Sequence, residues 1–167
     1  MGCTLVGTLN VKHIYNMKKI WYKWNEMRRD VNTLCRDITL DKFDPQVIVG
    51  LSRGGLTPGV MMSHWFQKPF KPVKSSLRDF PEWEDYLPKK TDERVLIIDD
   101  ICDSGETFQK ISDYIKERGD GVDVRFASLW WNNECDFEPH YYVQECAKDT
   151  EGIWIHFPWE AWWNAPV

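Results

Sequence analysis

Hydrophobic positions form two patterns along the chain, a helical spacing and short continuous runs. Each pattern predicts a different kind of element. Residues 24–39 place apolar side chains at helical spacing between charged ones, which predicts an amphipathic helix. Short, continuously apolar runs at 46–51 and 94–99 instead predict strands that are buried on both faces. The same criteria predict helices at 56–66 and 105–118 and further strands at 70–76, 124–130, 140–145 and 153–157.

The alternation of strands and helices predicts an α/β fold with a mostly parallel central sheet flanked by helices. The 167 residues suffice for one domain and are too few for two ordinary ones, so we expect a single domain over residues 1–167. The polar segment 77–93 carries two prolines and predicts a long loop. Ligands of parallel sheets bind beyond the carboxyl ends of the strands, so the turns after the two apolar runs are expected at one rim.

Composition narrows the classes of partner. The formal net charge of −5 argues against a dedicated nucleic-acid binder, because such proteins usually present a basic surface. Five cysteines without a C-x-x-C spacing fit reduced thiols in the cytoplasm better than a disulfide or zinc framework. No apolar run approaches the roughly 18 residues that a membrane helix needs. We therefore expect a cytoplasmic protein that binds neither nucleic acid nor membrane.

Two adjacent carboxylates, Asp99 and Asp100, stand where the second apolar run ends. Neighbouring like charges are costly unless a cation or hydroxyl donors lie close to them. A vicinal diol supplies two hydrogen-bond donors, and Mg²⁺ supplies positive charge to hard oxygen ligands. The pair therefore predicts a diol or magnesium site.

A small, hydroxyl-rich turn follows the acidic pair and opens a predicted helix. The first N–H groups of a helix lack backbone partners and attract anions, and a glycine in the turn allows close approach. A diol site beside an anion site would suit a ribose phosphate. The alternative is a surface turn whose Asp103 or Ser104 merely caps the helix, but this does not account for the acidic pair. The residues of the turn are Asp103, Ser104, Gly105, Glu106 and Thr107.

Three stretches together resemble one family. VLIIDDICDSGET at 95–107 resembles the phosphoribosyl-pyrophosphate (PRPP) binding motif of the type I phosphoribosyltransferases. VIVGLSRGGLTPG at 47–59 is similar to the pyrophosphate loop of that family, and WIHFPWE at 154–160 to the purine-binding segment of its bacterial-type xanthine-guanine branch. The resemblance implies the type I phosphoribosyltransferase fold. It adds a mobile lid loop at about 76–93 and a small C-terminal hood for the base at about 131–167.

The resemblance also implies roles for single residues. Asp99 and Asp100 would hold the ribose hydroxyls and help to place Mg²⁺, and the turn from Asp103 to Thr107 would bind the 5′-phosphate. Asp103 matches the presumed proton acceptor near N7 of the purine, so the expected catalytic residues are Asp99, Asp100 and Asp103. The pyrophosphate loop would be Ser52, Arg53, Gly54 and Gly55, with a non-proline cis peptide expected at Arg53–Gly54.

In the base-binding part, Trp154 matches the residue that stacks on the base and Ile155 the one whose backbone meets the base edge. Glu160 stands where the family has an aspartate. Asn132 stands where the 6-oxopurine enzymes place a lysine that contacts the 6-oxo group. The lid departs from the usual Ser-Tyr start as well, since this chain has Ser75-Ser76-Leu77.

The function that the resemblance implies is magnesium-dependent transfer of a 5-phosphoribosyl group from PRPP to guanine, xanthine or hypoxanthine. The products would be the nucleoside monophosphate and pyrophosphate, in purine salvage, and a homodimer or homotetramer is expected. Two alternatives stay open. One is a phosphoribosyltransferase for an unusual base, which the amide of Asn132 suggests, and the other is a non-catalytic, PRPP-sensing regulator of the same fold.

Overall fold

A computed structural model describes residues 17–74, 94–119 and 121–164. The predicted lid at about 76–93 lies outside these residues. The described elements, in chain order, are β1 (Lys18–Trp21), α1 (Trp24–Leu40), β2 (Val47–Ser52), α2 (Leu56–Phe66), β3 (Phe70–Lys74), β4 (Arg94–Cys102), α3 (Glu106–Arg118), β5 (Asp123–Asn132), β6 (Tyr141–Cys146), α4 (Lys148–Glu151) and β7 (Ile153–His156), followed by a 3₁₀ turn at Trp162–Asn164.

The central sheet has five strands in the order β3-β2-β4-β5-β6, and each neighbouring pair is parallel. This confirms the predicted α/β fold with a parallel sheet. The two strands that end in the unusual turns, β2 and β4, are direct neighbours in register from Val47↔Val95 to Gly50↔Ile98. Their carboxyl ends therefore lie side by side, as the sequence predicted.

The sheet is covered by helices on both faces, because alternate residues of its strands point to opposite sides. Ile48, Leu96 and Ile98 belong to the core beneath α1 and α2, whose buried residues include Leu34 and Met62. The intervening strand positions form a second core against α3, whose buried residues are Phe108, Ile111 and Ile115. Both faces of β2 and β4 are thus apolar, which explains their continuous hydrophobic runs.

A second, two-stranded sheet joins the two ends of the described chain. β1 pairs with β7 in parallel, from Lys18↔Ile153 to Trp21↔His156, and the rings of Trp21 and His156 stack with centroids 4.4 Å apart. The sequence analysis did not predict β1, because KKIW is short and starts with two lysines. The range 131–167 expected for the hood also contains β6, which the structure places in the central sheet.

The end of β4 and the helix α4 differ from the prediction in a way that matters for the site. β4 continues past the predicted end at Asp99 to Cys102, because Ile101 and Cys102 still pair with Trp130 and Trp131 of β5. The acidic pair therefore lies within a strand rather than after it. The short helix α4 was not predicted, and it brings a new residue to the site.

In the described residues, no helix combines the length and the apolar character that crossing a bilayer requires. Cys35, Cys102, Cys135 and Cys146 have free thiols. The predicted cytoplasmic location stays a prediction. Trp162 and Trp163 are 67% and 69% exposed, whereas Trp130 packs partly against the core.

Candidate active site

The acidic pair lies against the glycine loop that follows β2. A Cβ atom added to Gly54 would overlap the carboxyl group of Asp100, so the loop backbone passes directly over that side chain. Asp99 Oδ1 accepts a hydrogen bond from the N–H of Asp100 at 2.9 Å, and Asp100 Oδ1 accepts one from Ile101 at 2.8 Å. These bonds hold both carboxyl groups at the carboxyl edge of the sheet.

The pKa values of both carboxyl groups are raised, chiefly by burial. Burial raises the pKa of Asp99 well above its ordinary value, and the charge of Asp100 raises it further. Burial likewise raises the pKa of Asp100 to about 6, with a further contribution from the charge of Glu160. Burial and the neighbouring acidic groups disfavour the ionised form of both carboxyl groups, which a cation or hydroxyl donors would favour.

The turn after β4 forms a cleft of about 220 Å³. Gly105 has φ +75°, a conformation that favours glycine, and a side chain there would also collide with Phe137. Gly105 is the N-cap of the 13-residue helix α3 and has no side chain that could cap it. Ser104 Oγ accepts a long hydrogen bond of 3.4 Å from the N–H of Glu106. The cleft is lined by residues that include Asp99, Asp100, Asp103, Ser104, Gly105 and Thr107, while Glu106 is exposed at its side.

A second cavity of about 160 Å³ adjoins this cleft and shares Asp100 and Asp103 with it. Trp154, Ile155 and Glu160, the residues expected to meet the base, all line it. Trp154 is 37% exposed, so one part of its ring is open for stacking. Glu160 is held by a bond that its Oε2 accepts from Phe157 N–H at 3.3 Å.

Asn132, the fourth residue expected at the base, lies beneath the cavity and does not line it. Its side chain is buried, with 3% exposure. The Nδ2 group donates to the Asp103 carbonyl at 3.2 Å, and Oδ1 accepts from the N–H groups of Lys148 at 3.0 Å and Glu134 at 3.4 Å. Because both polar atoms of the amide already have protein partners, base contact by Asn132 stays a prediction that this geometry does not favour.

Lys148 occupies the cavity instead, and the sequence analysis missed it. Its Nζ forms an ion pair with Asp103 Oδ2 and lies 5.3 Å from the ring centroid of Trp154. A lysine at the start of a four-residue helix carries no motif that would have identified it. The sequence places it only between the predicted strands at 140–145 and 153–157, just before the matched segment at 154–160.

A third cavity of about 570 Å³ lies on the other side of Glu160. Arg53 and Gly54 of the predicted pyrophosphate loop line it, together with Thr57 and two tryptophans, Trp159 and Trp163. Ser52 ends β2, and Gly55 is buried at the start of α2. The non-proline cis peptide of this loop is at Ser52–Arg53, so the prediction of Arg53–Gly54 was wrong by one bond.

The contact between Gly54 and Asp100 makes a direct prediction. We expect Gly54→Ala to lower kcat/KM for a substrate bound in this cleft by about 10- to 100-fold, because the added methyl group forces the carboxyl group of Asp100 to shift. Steady-state kinetics and thermal unfolding measure this. Gly119→Ala is the control for a glycine change with open space around it, although its positive φ of 61° makes a small loss of stability there expected. Unchanged kinetics in Gly54→Ala would contradict the close approach.

Comparisons with known proteins agree with this arrangement. The family model described as "Phosphoribosyl transferase domain" matches residues 18–165. The xanthine-guanine phosphoribosyltransferase of Chromohalobacter salexigens is 25% identical over 154 residues, covering 82% of this chain and 81% of that protein. The enzyme of the same name from Gluconobacter oxydans is 27% identical over 147 residues, with 82% of each chain covered.

Solved structures give the same result. The purine phosphoribosyltransferase of Pyrococcus horikoshii superposes with a TM-score of 0.69 at 30% identity, covering 89% of this chain and 97% of that chain. The Helicobacter pylori xanthine-guanine-hypoxanthine phosphoribosyltransferase has a TM-score of 0.72 at 17% identity, over 86% and 95% of the two chains, and supports the fold alone. Because the family match spans most of the chain, the protein belongs to the phosphoribosyl transferase domain family and is a phosphoribosyltransferase.

Proposed function

We propose that this enzyme transfers a 5-phosphoribosyl group from PRPP to a purine base that carries a 6-oxo group: guanine, xanthine or hypoxanthine. The products are the nucleoside monophosphate and pyrophosphate, which is a purine salvage reaction. The observation that carries the proposal is the meeting of three cavities around Asp100 and Glu160. PRPP with a base has three parts of matching chemistry, namely a 5′-phosphate, a pyrophosphate and a flat ring.

Each part of the substrates has a site of suitable chemistry. The N–H groups at the start of α3 and the hydroxyls of Ser104 and Thr107 suit the 5′-phosphate. Arg53 and the backbone of the loop at 52–55 suit the pyrophosphate. The carboxylates of Asp99 and Asp100 can only accept hydrogen bonds, so they suit the two ribose hydroxyls that lie between these anionic ends.

The same two carboxylates fit Mg²⁺. Burial and the neighbouring acidic groups disfavour the ionised form of both carboxyl groups, a bound cation would favour it, and carboxylate oxygens are ligands that Mg²⁺ prefers. Within the described ranges, no three His, Cys, Asp or Glu side chains converge into a metal cage. Asp99 and Asp100 would therefore hold the ion together with substrate oxygens and water. When bound, Mg²⁺ supplies positive charge to the leaving pyrophosphate.

The chemistry proposed for the protein side chains is a substitution at the anomeric carbon of the ribose. A purine nitrogen attacks this carbon, the C–O bond to pyrophosphate breaks, and positive charge develops on the sugar ring, as in glycosidase transition states. The carboxylates of Asp99 and Asp100 favour that charge. Asp103 accepts the proton that the purine loses. It lines both the cleft of about 220 Å³, called here the phosphate cleft, and the cavity of about 160 Å³ beside Trp154, called the base cavity.

Support for a purine as the acceptor comes from two sources. Trp154 offers a flat aromatic surface in a cavity of about 160 Å³, which is suited to one stacked base. The curated relatives are named xanthine-guanine phosphoribosyltransferases, and the Pyrococcus horikoshii structure is named a purine phosphoribosyltransferase.

An assay with PRPP, Mg²⁺ and one base at a time tests the proposal. We expect nucleoside monophosphate from guanine, xanthine or hypoxanthine, detected by its mass, and loss of product when a chelator removes the metal. Product from adenine or orotate alone would contradict the specificity, and product from a non-standard base would favour the unusual-base alternative. A protein that binds PRPP in calorimetry but forms no nucleotide would contradict catalysis and favour the regulator.

A further inference from the structure

The base cavity contains a cation that no sequence motif identified. Lys148 Nζ lies between the carboxylate of Asp103, its ion-pair partner, and the ring of Trp154, whose centroid is 5.3 Å away. The lysine side chain is only 14% exposed, and all three residues line the same cavity. We propose that Lys148 recognises the carbonyl oxygen at C6 of the purine and so determines base specificity, an inference that rests on the proposed function.

The hydrogen-bonding capacity of the two charged groups defines the ligand edge that fits them. The ammonium of Lys148 can only donate hydrogen bonds, and the ionised carboxylate of Asp103 can only accept them. A matching ligand therefore presents an acceptor beside a donor. A 6-oxopurine protonated at N7 has this edge, with O6 as the acceptor and N7–H as the donor. Adenine places an amino group at C6, which would set a donor against the ammonium.

The ligand-free cavity keeps this pair in place without a base. The ion pair with Asp103 satisfies one donor of Lys148, and the face of Trp154 attracts the ammonium further. A base that stacks in the cavity exchanges the weak contact with the ring for a charge-assisted hydrogen bond to O6. Lys148 therefore does not have to leave the cavity when the base enters.

The backbone of Lys148 is held by residues outside the cavity. Asn132 donates to the Asp103 carbonyl and accepts from the Lys148 N–H, so one buried amide connects the two partners of the ion pair. The carboxylate of Glu134 accepts from the N–H groups of Asp149 at 2.6 Å and Thr150 at 3.1 Å, which anchors the start of α4. Asn132 is thus a positioning residue for the lysine that takes over recognition of the oxo group.

The test compares the wild type with Lys148→Met and Lys148→Arg, using hypoxanthine, guanine and adenine at saturating PRPP. We expect Lys148→Met to lower kcat/KM for the two 6-oxopurines by about 10- to 100-fold, the effect of losing one charge-assisted hydrogen bond. The KM for PRPP and the rate with adenine should stay within about 3-fold, and Lys148→Arg should recover part of the loss. Lys116→Met, on the exposed face of α3, is the control for losing a lysine.

Calorimetric titration of GMP and AMP into the same variants separates the two proposals. If the wild type forms no nucleotide but binds GMP better than AMP, and Lys148→Met removes this preference, then catalysis fails and the role of Lys148 stands. Equal losses of GMP and AMP binding in Lys148→Met indicate a purely structural role and overturn the inference. An unchanged preference in that variant, or no preference in the wild type, overturns it as well.

Discussion

Replacing Asp100 with asparagine is expected to stabilise the ligand-free protein at pH 7 while removing most of its affinity for PRPP with magnesium. Burial raises the pKa of Asp100 to about 6, so the folded protein holds this proton more tightly than the unfolded chain does. Ionisation of the carboxyl group therefore costs stability as pH rises from about 4 through about 6. Asparagine removes the charge and keeps the oxygen that accepts the Ile101 N–H at 2.8 Å.

We expect a gain of about 1–3 kcal/mol in the free energy of unfolding at pH 7, which disappears near pH 4 where the wild-type group is protonated. Urea unfolding at both pH values measures this, with the exposed residue change Asp37→Asn as the control. PRPP affinity with Mg²⁺ should fall by about 10- to 100-fold in Asp100→Asn. In the wild type it should weaken as pH falls below about 6. A variant less stable at pH 7 would contradict the raised pKa of Asp100.

Replacing Asp103 with asparagine is expected to have the largest effect on the chemical step. Asp103 lines both the cleft proposed for the phosphate and the cavity proposed for the base, and we propose that its carboxylate accepts the purine proton. An amide of the same shape cannot take up that proton, and we expect kcat to fall by about 10²- to 10⁴-fold. The amide oxygen can still accept a bond from Lys148, so the fold and the base cavity should persist.

Single-turnover kinetics and calorimetry separate this role from a role in binding. The dissociation constant of PRPP with Mg²⁺ should change by less than about 5-fold in Asp103→Asn, because we propose that backbone N–H groups and hydroxyls bind most of the phosphate. Asp136→Asn, on the exposed loop after β5, is the control. A loss of PRPP affinity as large as the loss of kcat would place Asp103 in binding rather than in proton transfer.

The stability of this protein and its activity thus have opposite requirements at the acidic pair. Ionising the two carboxyl groups destabilises the ligand-free protein, because both pKa values are raised. The ionised groups are nevertheless the form that would accept hydrogen bonds from a diol or coordinate a magnesium ion. The backbone of Gly54 passes directly over the carboxyl group of Asp100, so a side chain at this position would displace that group.

Much of the central sheet could be predicted from the chain because its signals are local. A strand buried on both faces has to be apolar at successive positions, so VIVGL and VLII identified β2 and β4 directly. The alternation of these strands with helices then required a parallel sheet. The loop at 52–55 and the turn at 103–107, both expected to bind anions, directly follow β2 and β4. Asp99, Asp100 and the turn after them were therefore recognisable from the order of residues along the chain.

The strand β1 and the residue Lys148 could not be predicted in this way. β1 is stabilised by β7, from the opposite end of the chain, and by the stacking of Trp21 on His156, which are contacts without a local pattern. The cis peptide was expected one bond too late, since the choice between two adjacent bonds depends on packing rather than on residue type.

The sequence by itself determined the α/β fold and the two loops suited to anions, because hydrophobic period and strand-to-loop order are properties of neighbouring residues. Only the tertiary structure decided which cation lies in the cavity proposed for the base. Asn132, at the position where a lysine was expected, is buried with both polar atoms bonded, while Lys148, 16 positions later, reaches Asp103 and Trp154. The distance between two side chains is set by how β5, β6 and α4 pack, and spacing along the chain does not record it.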